Sequence, residues 1–562
     1  MYSANKYPLI RLLLAGIILF SCKGKGQPPD TVAADPAELQ QKISSFLRFQ
    51  LDQAVANSGR LPDSAGVLAF PELLRDFYKM RADTAFWSRD MKWENRADSL
   101  WQFIREAKLF GLYPEDYFYT PLTQIRDTIL ADSTGKSDRR DARWWGLADL
   151  YSTDAIFRLI KDVKLGRLPF DSVTLRKDTL LTDSFLISQV NLLEKQGIRA
   201  LIKNLEPGIA GYRQLKEALP SFLARARFAV YTKLPFPMKD TRQFNRLLQK
   251  RLFEEGLVSQ DSIALDSANL AAAVKKFQQI NNITVDGKAG EGTVRMLNLD
   301  DRERFARIAI SLDKYKQFPV KMPDRYILVN TSGNYMELTD SGVVKIRSRV
   351  ITGKPKTRTP LLNSAIYALI TYPQWVPPAS IIEKEILPAV KRNPGYLAKK
   401  GFSLLDKDGN EVDPYTVDWS KYKKSIPYRV VQGSGDANAL GIMKFVFENK
   451  FAVYLHDTNQ RYLFANAMRS LSHGCVRVQE WDKLAWDLLK SDSVLNGGKG
   501  VARTDSVKYW LKHKQKRTIS LRNRVPVFLR YFTCEGQKGN LVFYDDVYGD
   551  DRFLRERYFR NK

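Results

Sequence analysis

The residues best suited to chemistry are a cysteine and two histidines that lie close together in the sequence. Three cysteines and three histidines occur among 562 residues, yet His456, His473 and Cys475 fall within a stretch of twenty. A thiol attacks a carbonyl as its thiolate, and a neighbouring imidazole can take the proton. Gly474 lets the backbone turn tightly, so that amide groups can face a developing oxyanion. The pattern predicts acyl transfer through a thioester.

Two other interpretations of these residues are open. Zinc could be held by His456, His473 and Cys475, but the sequence offers no obvious fourth ligand and no C-x-x-C pair. A buried structural cysteine with two core histidines is the plainer interpretation. The clustering of scarce residue types disfavours it.

Short strands must position these residues, because the hydrophobic period is two from Arg325 onward. His456 ends a predicted strand over residues 451–456, directly before the turn-prone Asp457. Alternation places one set of side chains on one face (Phe451, Val453, Leu455) and the others opposite (Ala452, Tyr454, His456). Further strand candidates are residues 326–330, 343–351, 366–371 and 443–447.

A long helical region precedes the strands. Apolar residues recur there at steps of four, as in Leu39, Ile43 and Leu47. We expect an α+β multidomain protein. Its predicted parts are a helical scaffold over 37–234, a small helical module over 235–300 with helices over 245–255 and 269–281, and a mainly β domain over 301–555 with an inserted subdomain over about 377–438.

The small module carries a recognisable pattern. Residues 273–298 resemble the peptidoglycan-binding domain of many cell-wall enzymes, at positions Ala273, Val274, Phe277, Gln278, Val285, Asp286, Gly287, Gly290, Thr293 and Leu297. Phe277, Val274 and Ile280 are expected to form the buried helix face, and residues 286–287 a tight turn. The resemblance implies peptidoglycan binding, and a spacer module is the alternative.

The cysteine and histidines also lie in a family pattern. His456, fifteen residues, and then Ser472-His473-Gly474-Cys475-Val476-Arg477 resemble the signature of the L,D-transpeptidases, whose catalytic domain is of the YkuD type. Residues 353–360 (GKPKTRTP) and 441–445 (GIMKF) agree with it. The insertion resembles the capping segment of the large periplasmic members, and residues 111–117 and 166–169 resemble their scaffold.

The resemblance implies roles for the central residues. Cys475 would be the nucleophile and His456 its base, with the main chain of Asp457 orienting the imidazole. The amides of Gly474 and Cys475, with His473 nearby, would line the oxyanion hole.

Four more side chains are expected near the substrate. Arg477 would bind a substrate carboxylate or order the loop, and a structural salt bridge is equally open. Ser472 is expected to hydrogen-bond within the loop. Tyr454 and Trp375 line the donor cleft in one interpretation and pack in the core in the other.

The implied reaction has two steps. Cys475 attacks the carbonyl of the third residue of a tetrapeptide stem and D-alanine leaves; the side-chain amine of a neighbouring stem's diamino acid then takes the acyl group, giving a 3–3 cross-link. Neither step needs a metal or a nucleotide cofactor. Water, a free D-amino acid or a protein lysine could also accept the acyl group. An inactive peptidoglycan-binding scaffold lipoprotein is the alternative from another class.

The start of the chain predicts export to the periplasm. Residues 1–22 combine a basic start, an apolar run and a small residue before Cys22, as in a signal peptide. Residues 19–22 (LFSC) resemble a lipobox, which implies lipidation of Cys22 and a membrane anchor; an ordinary cleaved signal is the alternative. Residues 23–36 read as a flexible tether.

The net charge of +27 alone would suggest a polyanionic partner. Lysines and arginines are dispersed through all regions and no nucleic-acid motif occurs, so we expect no nucleic-acid partner. The charge fits a carboxylate-bearing wall polymer instead. Cys534 is expected to be a buried, reduced thiol, unpaired with Cys475.

Overall fold

The computed structural model describes residues 28–62, 66–90, 92–131, 141–176, 181–259, 266–281, 283–495 and 504–559. Residues 1–27, with the predicted signal peptide, Cys22 and the first part of the tether, lie outside this range. The chain forms two compact units. One contains the described residues up to Ile104 together with Glu115–Arg158 and Asp183–Ile198, and the other contains Arg105–Pro114, Leu159–Thr182 and the chain from Arg199 onward.

Helices dominate the described residues up to 225, as the apolar periodicity predicts. Leu39, Ile43 and Leu47 are all buried on the first helix, whose N-terminus is capped by the Asp35 carboxylate. The helices are α1 (Pro36–Ala56), α2 (Pro71–Lys79), α3 (Asn95–Arg105), α4 (Tyr119–Ala131), α5 (Ala142–Lys164), α6 (Asp183–Leu205) and α7 (Ala210–Arg225), with a hairpin of β1 (Ser88–Arg89) and β2 (Lys92–Trp93).

A buried carboxylate organises the first unit. Asp149 accepts hydrogen bonds from the Tyr78 hydroxyl at 2.8 Å, from the Phe86 amide at 2.6 Å and from the Trp87 amide at 3.2 Å. Burial nevertheless raises the pKa of Asp149 to about 6, because desolvation outweighs these donors.

The small module consists of α8 (Thr241–Glu254), α9 (Ser267–Ile280) and α10 (Glu291–Leu297). The predicted turn is present, since Gly287 has a φ of +73° and the amides of Asp286 and Gly287 both donate to Gln278 Oε1, at 3.0 and 2.9 Å. Val274 and Phe277 are buried, but Ile280 is 57% exposed at the end of α9. The prediction that Ile280 completes the buried face is therefore wrong.

After α11 (Asp301–Tyr315), the chain enters the β domain and confirms all four strand candidates of 326–330, 343–351, 366–371 and 443–447. The strands are β3 (Arg325–Asn330), β4 (Tyr335–Asp340), β5 (Val343–Gly353), β6 (Leu362–Thr371), β7 (Phe402–Leu405), β8 (Arg429–Gln432), β9 (Met443–Phe447), β10 (Leu455–His456), β11 (Ser470–Ser472), β12 (Val476–Val478), β13 (Arg517–Arg530), β14 (Cys534–Gln537) and β15 (Asn540–Phe543).

Nine of these strands form one mixed sheet that closes on itself. The order is β11-β5-β12-β10-β9-β6-β13-β3-β4, and β4 also pairs with β5. Closure satisfies the backbone groups that an open sheet would leave unpaired at its edges. The interior is a core of apolar side chains that includes Val329, Leu338, Ile366, Phe445 and Val527.

The predicted insertion is a small unit with a hydrophobic core of its own between β6 and β9. Its helical part runs from α12 (Ala379–Ile381) through a wider turn (Ile382–Ile386) into α13 (Leu387–Arg392) and α14 (Tyr396–Lys399), and β7 pairs with β8. Ile386, Val390, Leu397, Trp419 and Val430 are buried together there. The remaining helices are α15 (Trp481–Leu495), α16 (Thr504–Lys512) and α17 (Asp550–Tyr558).

The strand predicted over 451–456 is shorter than expected, with only Leu455–His456 paired. The Asn449 side chain accepts from the amides of Phe451 and Val453, both at 3.0 Å, which replaces ladder hydrogen bonds. Ala452 takes a φ of +53° and Phe451 is 50% exposed. Alternation holds for Val453 and Leu455, which are buried as predicted, and fails for Phe451.

Candidate active site

The loop that carries Cys475 is held by its own serine. Ser472 Oγ donates to the Cys475 carbonyl at 2.6 Å and accepts from the Gly474 amide at 3.1 Å. Gly474 has a φ of +124°, a conformation that other residues rarely adopt. The bonds of Ser472 fit the predicted loop role, and they occupy the Gly474 amide that was expected to face the oxyanion.

A second loop, residues 353–360, supports the first from outside. Thr359 Oγ1 donates to the Gly474 carbonyl at 2.8 Å and accepts from the Gly353 amide at 2.9 Å. The Lys354 amide and the Thr357 hydroxyl both donate to the Ser472 carbonyl, at 2.9 and 3.0 Å. These contacts give a physical reason for the Gly-Lys-Pro-x-x-x-Thr-Pro pattern.

The register of β10 and β12 brings the predicted catalytic pair together. The strands are parallel, with His456 opposite Arg477, and the Val476 amide donates to the Tyr454 carbonyl at 3.1 Å. Leu455 and Val476 point into the core of the sheet. Because side chains alternate along a strand, Tyr454, His456, Cys475 and Arg477 share the opposite face.

His456 is a buried neutral base. Its side chain is 4% exposed, and Nδ1 has no hydrogen-bond partner within the described ranges. Burial lowers the pKa of His456 to about 3, and the positive charge of Arg477 lowers it further. Main-chain groups of Asp457 and Leu440 act in the opposite direction and raise the pKa. Because Nδ1 has no hydrogen-bond partner among the residues described, the main-chain role for Asp457 stays a prediction.

The thiol of Cys475 is also neutral at rest. Burial raises the pKa of Cys475, while hydrogen bonds from Tyr454 and the charges of Lys444 and Arg477 act in the opposite direction. Cys475 Sγ lies 3.9 Å from the Ala452 carbonyl. Both groups are therefore uncharged in the free protein near neutral pH.

Tyr454 lies close to Cys475 and to Trp375. Burial raises the pKa of Tyr454, the nearby Cys475 adds to the rise, and the Trp375 side chain acts in the opposite direction. The Tyr454 ring is 5.6 Å from the His456 ring in an edge-on arrangement. Trp375 also packs against Phe402 of the insertion, with 5.8 Å between ring centroids. Tyr454 thus lies beside the thiol, and Trp375 packs against the insertion.

Lys444 also lies at the site, although its sequence position alone did not predict this. Its Nζ lies 3.7 Å from the centroid of the Tyr454 ring, and Lys444 is opposite His456 in the pairing of β9 with β10. Burial lowers the pKa of Lys444. The signal was present in the Gly441-x-x-Lys444 pattern, because alternation along β9 points Lys444 away from the core that buries Met443 and Phe445.

The Asp457 carboxylate is structural. It accepts from Arg461 Nε at 3.0 Å, from Arg461 Nη2 at 2.6 Å and from the Ile442 amide at 3.0 Å. Gly441, with a φ of +63°, leaves the room that this carboxylate needs. The bonds fix the loop that follows His456.

Arg477 orders the same loop. Its Nη1 donates to Gln460 Oε1 at 2.9 Å and contacts Thr458 Oγ1 at 3.4 Å. In the part of the chain that the structure describes, Arg477 forms no salt bridge and its buried Nε has no partner. Of the predicted roles, the structure shows the ordering of the loop, and the structural salt bridge is not formed.

His473 is hydrogen-bonded to the insertion. Its Nε2 bonds to Glu385 Oε1 in the helical part of the insertion. The described residues contain no group of three or more His, Cys, Asp or Glu side chains arranged to hold a metal ion. Cys475 and Cys534 are both free thiols, and Cys534 is fully buried, as predicted.

Comparison with known proteins agrees with this geometry. The profile of the L,D-transpeptidase catalytic domain (YkuD) matches residues 324–493. Residues 324–493 are thus similar to that catalytic domain, and the fold and the site agree with the match. A Scaffold domain matches residues 72–219, and a "Putative peptidoglycan binding domain" matches residues 239–297.

One curated relative and two solved structures illustrate the similarity. The protein of Haemophilus influenzae named "Putative L,D-transpeptidase" is 38% identical over 226 residues, which is 40% of this chain and 44% of that protein's length. An L,D-transpeptidase from Mycobacterium smegmatis is 12% identical, covering 37% of this chain and 58% of its own, with a TM-score of 0.18. An L,D-transpeptidase from Stackebrandtia nassauensis is 14% identical; the match covers 54% of this chain and 97% of that one, with a TM-score of 0.20.

Proposed function

We propose that the chain is a cysteine-dependent L,D-transpeptidase that forms 3–3 cross-links between peptidoglycan stems. The observation that carries the proposal is the parallel pairing of β10, which ends at His456, with β12, which directly follows Cys475, within a matched catalytic domain. The neutral state of both groups supports it, since the base must be free to accept the thiol proton.

In the first step, His456 takes the thiol proton and Cys475 Sγ attacks the carbonyl carbon of the third stem residue. The imidazolium returns the proton to the departing D-alanine amine as the peptide bond breaks and the thioester forms. The Cys475 amide, with His473 nearby, is the proposed donor to the oxyanion, since the Gly474 amide is bonded to Ser472.

In the second step, the amine of a neighbouring diamino acid attacks the thioester. His456 takes a proton from that amine, the new amide bond forms, and the sulfur leaves and regains a proton. Water as acceptor would give carboxypeptidase activity, and a free D-amino acid would give exchange.

The test is mass analysis of products from purified tetrapeptide muropeptides. Cys475→Ala should lower cross-link formation by about 10³-fold or more, because the thioester cannot form. Cys534→Ala is the matched control and should keep its activity. Retained cross-linking by Cys475→Ala would overturn the assignment.

The acceptor is tested in the same assay by adding a D-amino acid. Dominant tripeptide product supports the carboxypeptidase alternative, and exchanged tetrapeptide supports exchange. Covalent labelling of Cys475 by a carbapenem separates an active enzyme from an inactive wall-binding scaffold, which would not be acylated.

We also propose that the protein is exported and anchored through lipidated Cys22. The support is the lipobox pattern in the sequence. Separately, no helix in the described ranges combines the length and apolar character of a bilayer span. Labelled palmitate should enter the wild-type protein and be lost in Cys22→Ala, and equal labelling of both would contradict the anchor.

A further inference from the structure

A second cleft, of about 620 Å³, lies between the small module and the catalytic domain. The module contributes Thr293 and Met296, and the catalytic domain contributes Arg349 and the segment 465–470. Neither His456 nor Cys475 lines it, so it is separate from the candidate active site. Pockets of this size at domain interfaces are common places for ligands.

Two arginines of the cleft lack an acidic partner. Arg349 Nη1 donates to the Phe464 carbonyl at 3.3 Å, and Arg469 donates to the carbonyls of Asn466 at 2.7 Å and Asn334 at 3.2 Å. Arg469 Nε is buried without a partner, and among the described residues neither guanidinium forms a salt bridge. Burial and the charge of Arg349 lower the pKa of Arg469 to about 10.

The acidic residues of the cleft are already used. Asp545 and Glu291 both pair with Arg295, the former at 2.7 Å. Asp286 accepts from Gln278 at 2.7 Å and from the Lys288 amide at 2.8 Å. Lys288, which also lines the cleft, offsets the charge of Asp286, so Arg349 and Arg469 leave the cleft positive. Met468, 48% exposed, adds an apolar wall.

We propose that this cleft is a second, non-catalytic site that binds a carboxylate of a peptidoglycan stem peptide between Arg349 and Arg469. Two guanidinium groups match the paired oxygens of a carboxylate, and an anion there would relieve the repulsion between them. The matched peptidoglycan-binding module forms the opposite wall. The identity of the polymer rests on the proposed function, whereas the anion site rests on the arginines.

The test is calorimetric binding of a soluble disaccharide-tetrapeptide to the full chain. Cys475 is first alkylated with iodoacetamide, so that the active site is blocked whatever reaction it performs. Arg349→Glu should weaken binding about 10-fold or more, since an exposed charge-assisted contact becomes repulsive. Lys345→Glu, an exposed charge reversal on the same strand outside the cleft, should change it less than about twofold.

Two further arms make the result decisive. The first uses the same muropeptide with its carboxylates converted to amides. Its affinity for the wild type should be about as low as the affinity of the unmodified muropeptide for Arg349→Glu. Arg349→Gln should keep the melting temperature of the wild type. Its affinity for the acid muropeptide should lie between those of the wild type and Arg349→Glu. Equal binding of acid and amide, or of Arg349→Glu and Lys345→Glu, would overturn the proposal. Loss of the transpeptidase assignment would leave all of these comparisons unaffected.

Discussion

At the scale of single residues, the resting site is a neutral pair. The pKa of His456 is lowered to about 3 and that of the Cys475 thiol is raised, so neither group is charged near neutral pH. If Cys475 is the nucleophile, as we propose, its thiolate must form during the attack and not before it.

The first prediction concerns pH. Because His456 stays neutral down to about pH 3 and the thiol stays protonated beyond its ordinary range, kcat/KM should be level from about pH 5 to 8. The measurement is acylation by a substrate or carbapenem with no ionisation in this window. A limb near pH 6.5 would show that His456 titrates normally.

The second prediction concerns Lys444, whose charge lowers the pKa of Cys475. Lys444→Met keeps the length of the side chain and removes the charge. Alkylation of Cys475 by iodoacetamide should then slow about 3–10-fold at neutral pH, with its midpoint moved to higher pH. Lys450→Met, an exposed neighbour on the same segment, is the control. An unchanged midpoint in Lys444→Met would remove Lys444 from the site.

At the scale of elements, the catalytic loop is held from two sides. Residues 353–360 bind its main chain through Thr357 and Thr359, and the insertion reaches it through Glu385 and His473. The first contact is made between buried and partly buried groups. The second is exposed and joins the loop to a unit with a separate core.

The third prediction follows from that second contact. Glu385→Gln removes the charge that faces His473 and should raise the KM for the tetrapeptide donor about 2–5-fold, because an exposed pair contributes little more than this. kcat should change less, since Cys475 and His456 are untouched. Glu383→Gln on the same helical segment is the control. A fall in kcat with constant KM would contradict a positioning role for Glu385.

The sequence predicted the elements better than the contacts between them. The hydrophobic period of two predicted β3, β5, β6 and β9 correctly, because one face of each strand is buried in the core of the closed sheet. The same period predicted too long a strand before His456, because the Asn449 side chain accepts the main-chain hydrogen bond that a neighbouring strand would otherwise accept. Glu385 was not predicted to lie near His473, because 88 residues separate them and no local pattern records the contact.

At the scale of the whole molecule, buried acids set the response to pH. Glu535 accepts from the Tyr335 hydroxyl at 2.6 and 2.7 Å, and burial raises its pKa from 4.5 to about 7. The folded chain therefore holds this proton more tightly than the unfolded chain. The free energy of unfolding from this group falls as pH rises from about 4.5 to about 7 and is then level.

The fourth prediction isolates that effect. Glu535→Gln should match wild type near pH 4 and exceed its free energy of unfolding by about 3 kcal/mol at pH 8. Denaturant unfolding at several pH values measures it, and Asp149, which is raised in the same direction, contributes equally to both proteins. Glu556→Gln on the surface is the control. A constant difference across pH would show that Glu535 is not protonated in the fold.

The insertion leaves and rejoins the closed sheet at neighbouring points. Thr371 ends β6 opposite Met443 at the start of β9, and the Tyr372 amide donates to the Ile442 carbonyl at 2.9 Å. Its ends are thus already joined by the sheet, so changes in its length cost little closure entropy and leave the strand register intact. Insertions or deletions in this segment can therefore change the surface beside the loop of Cys475 without altering the strands that hold that loop.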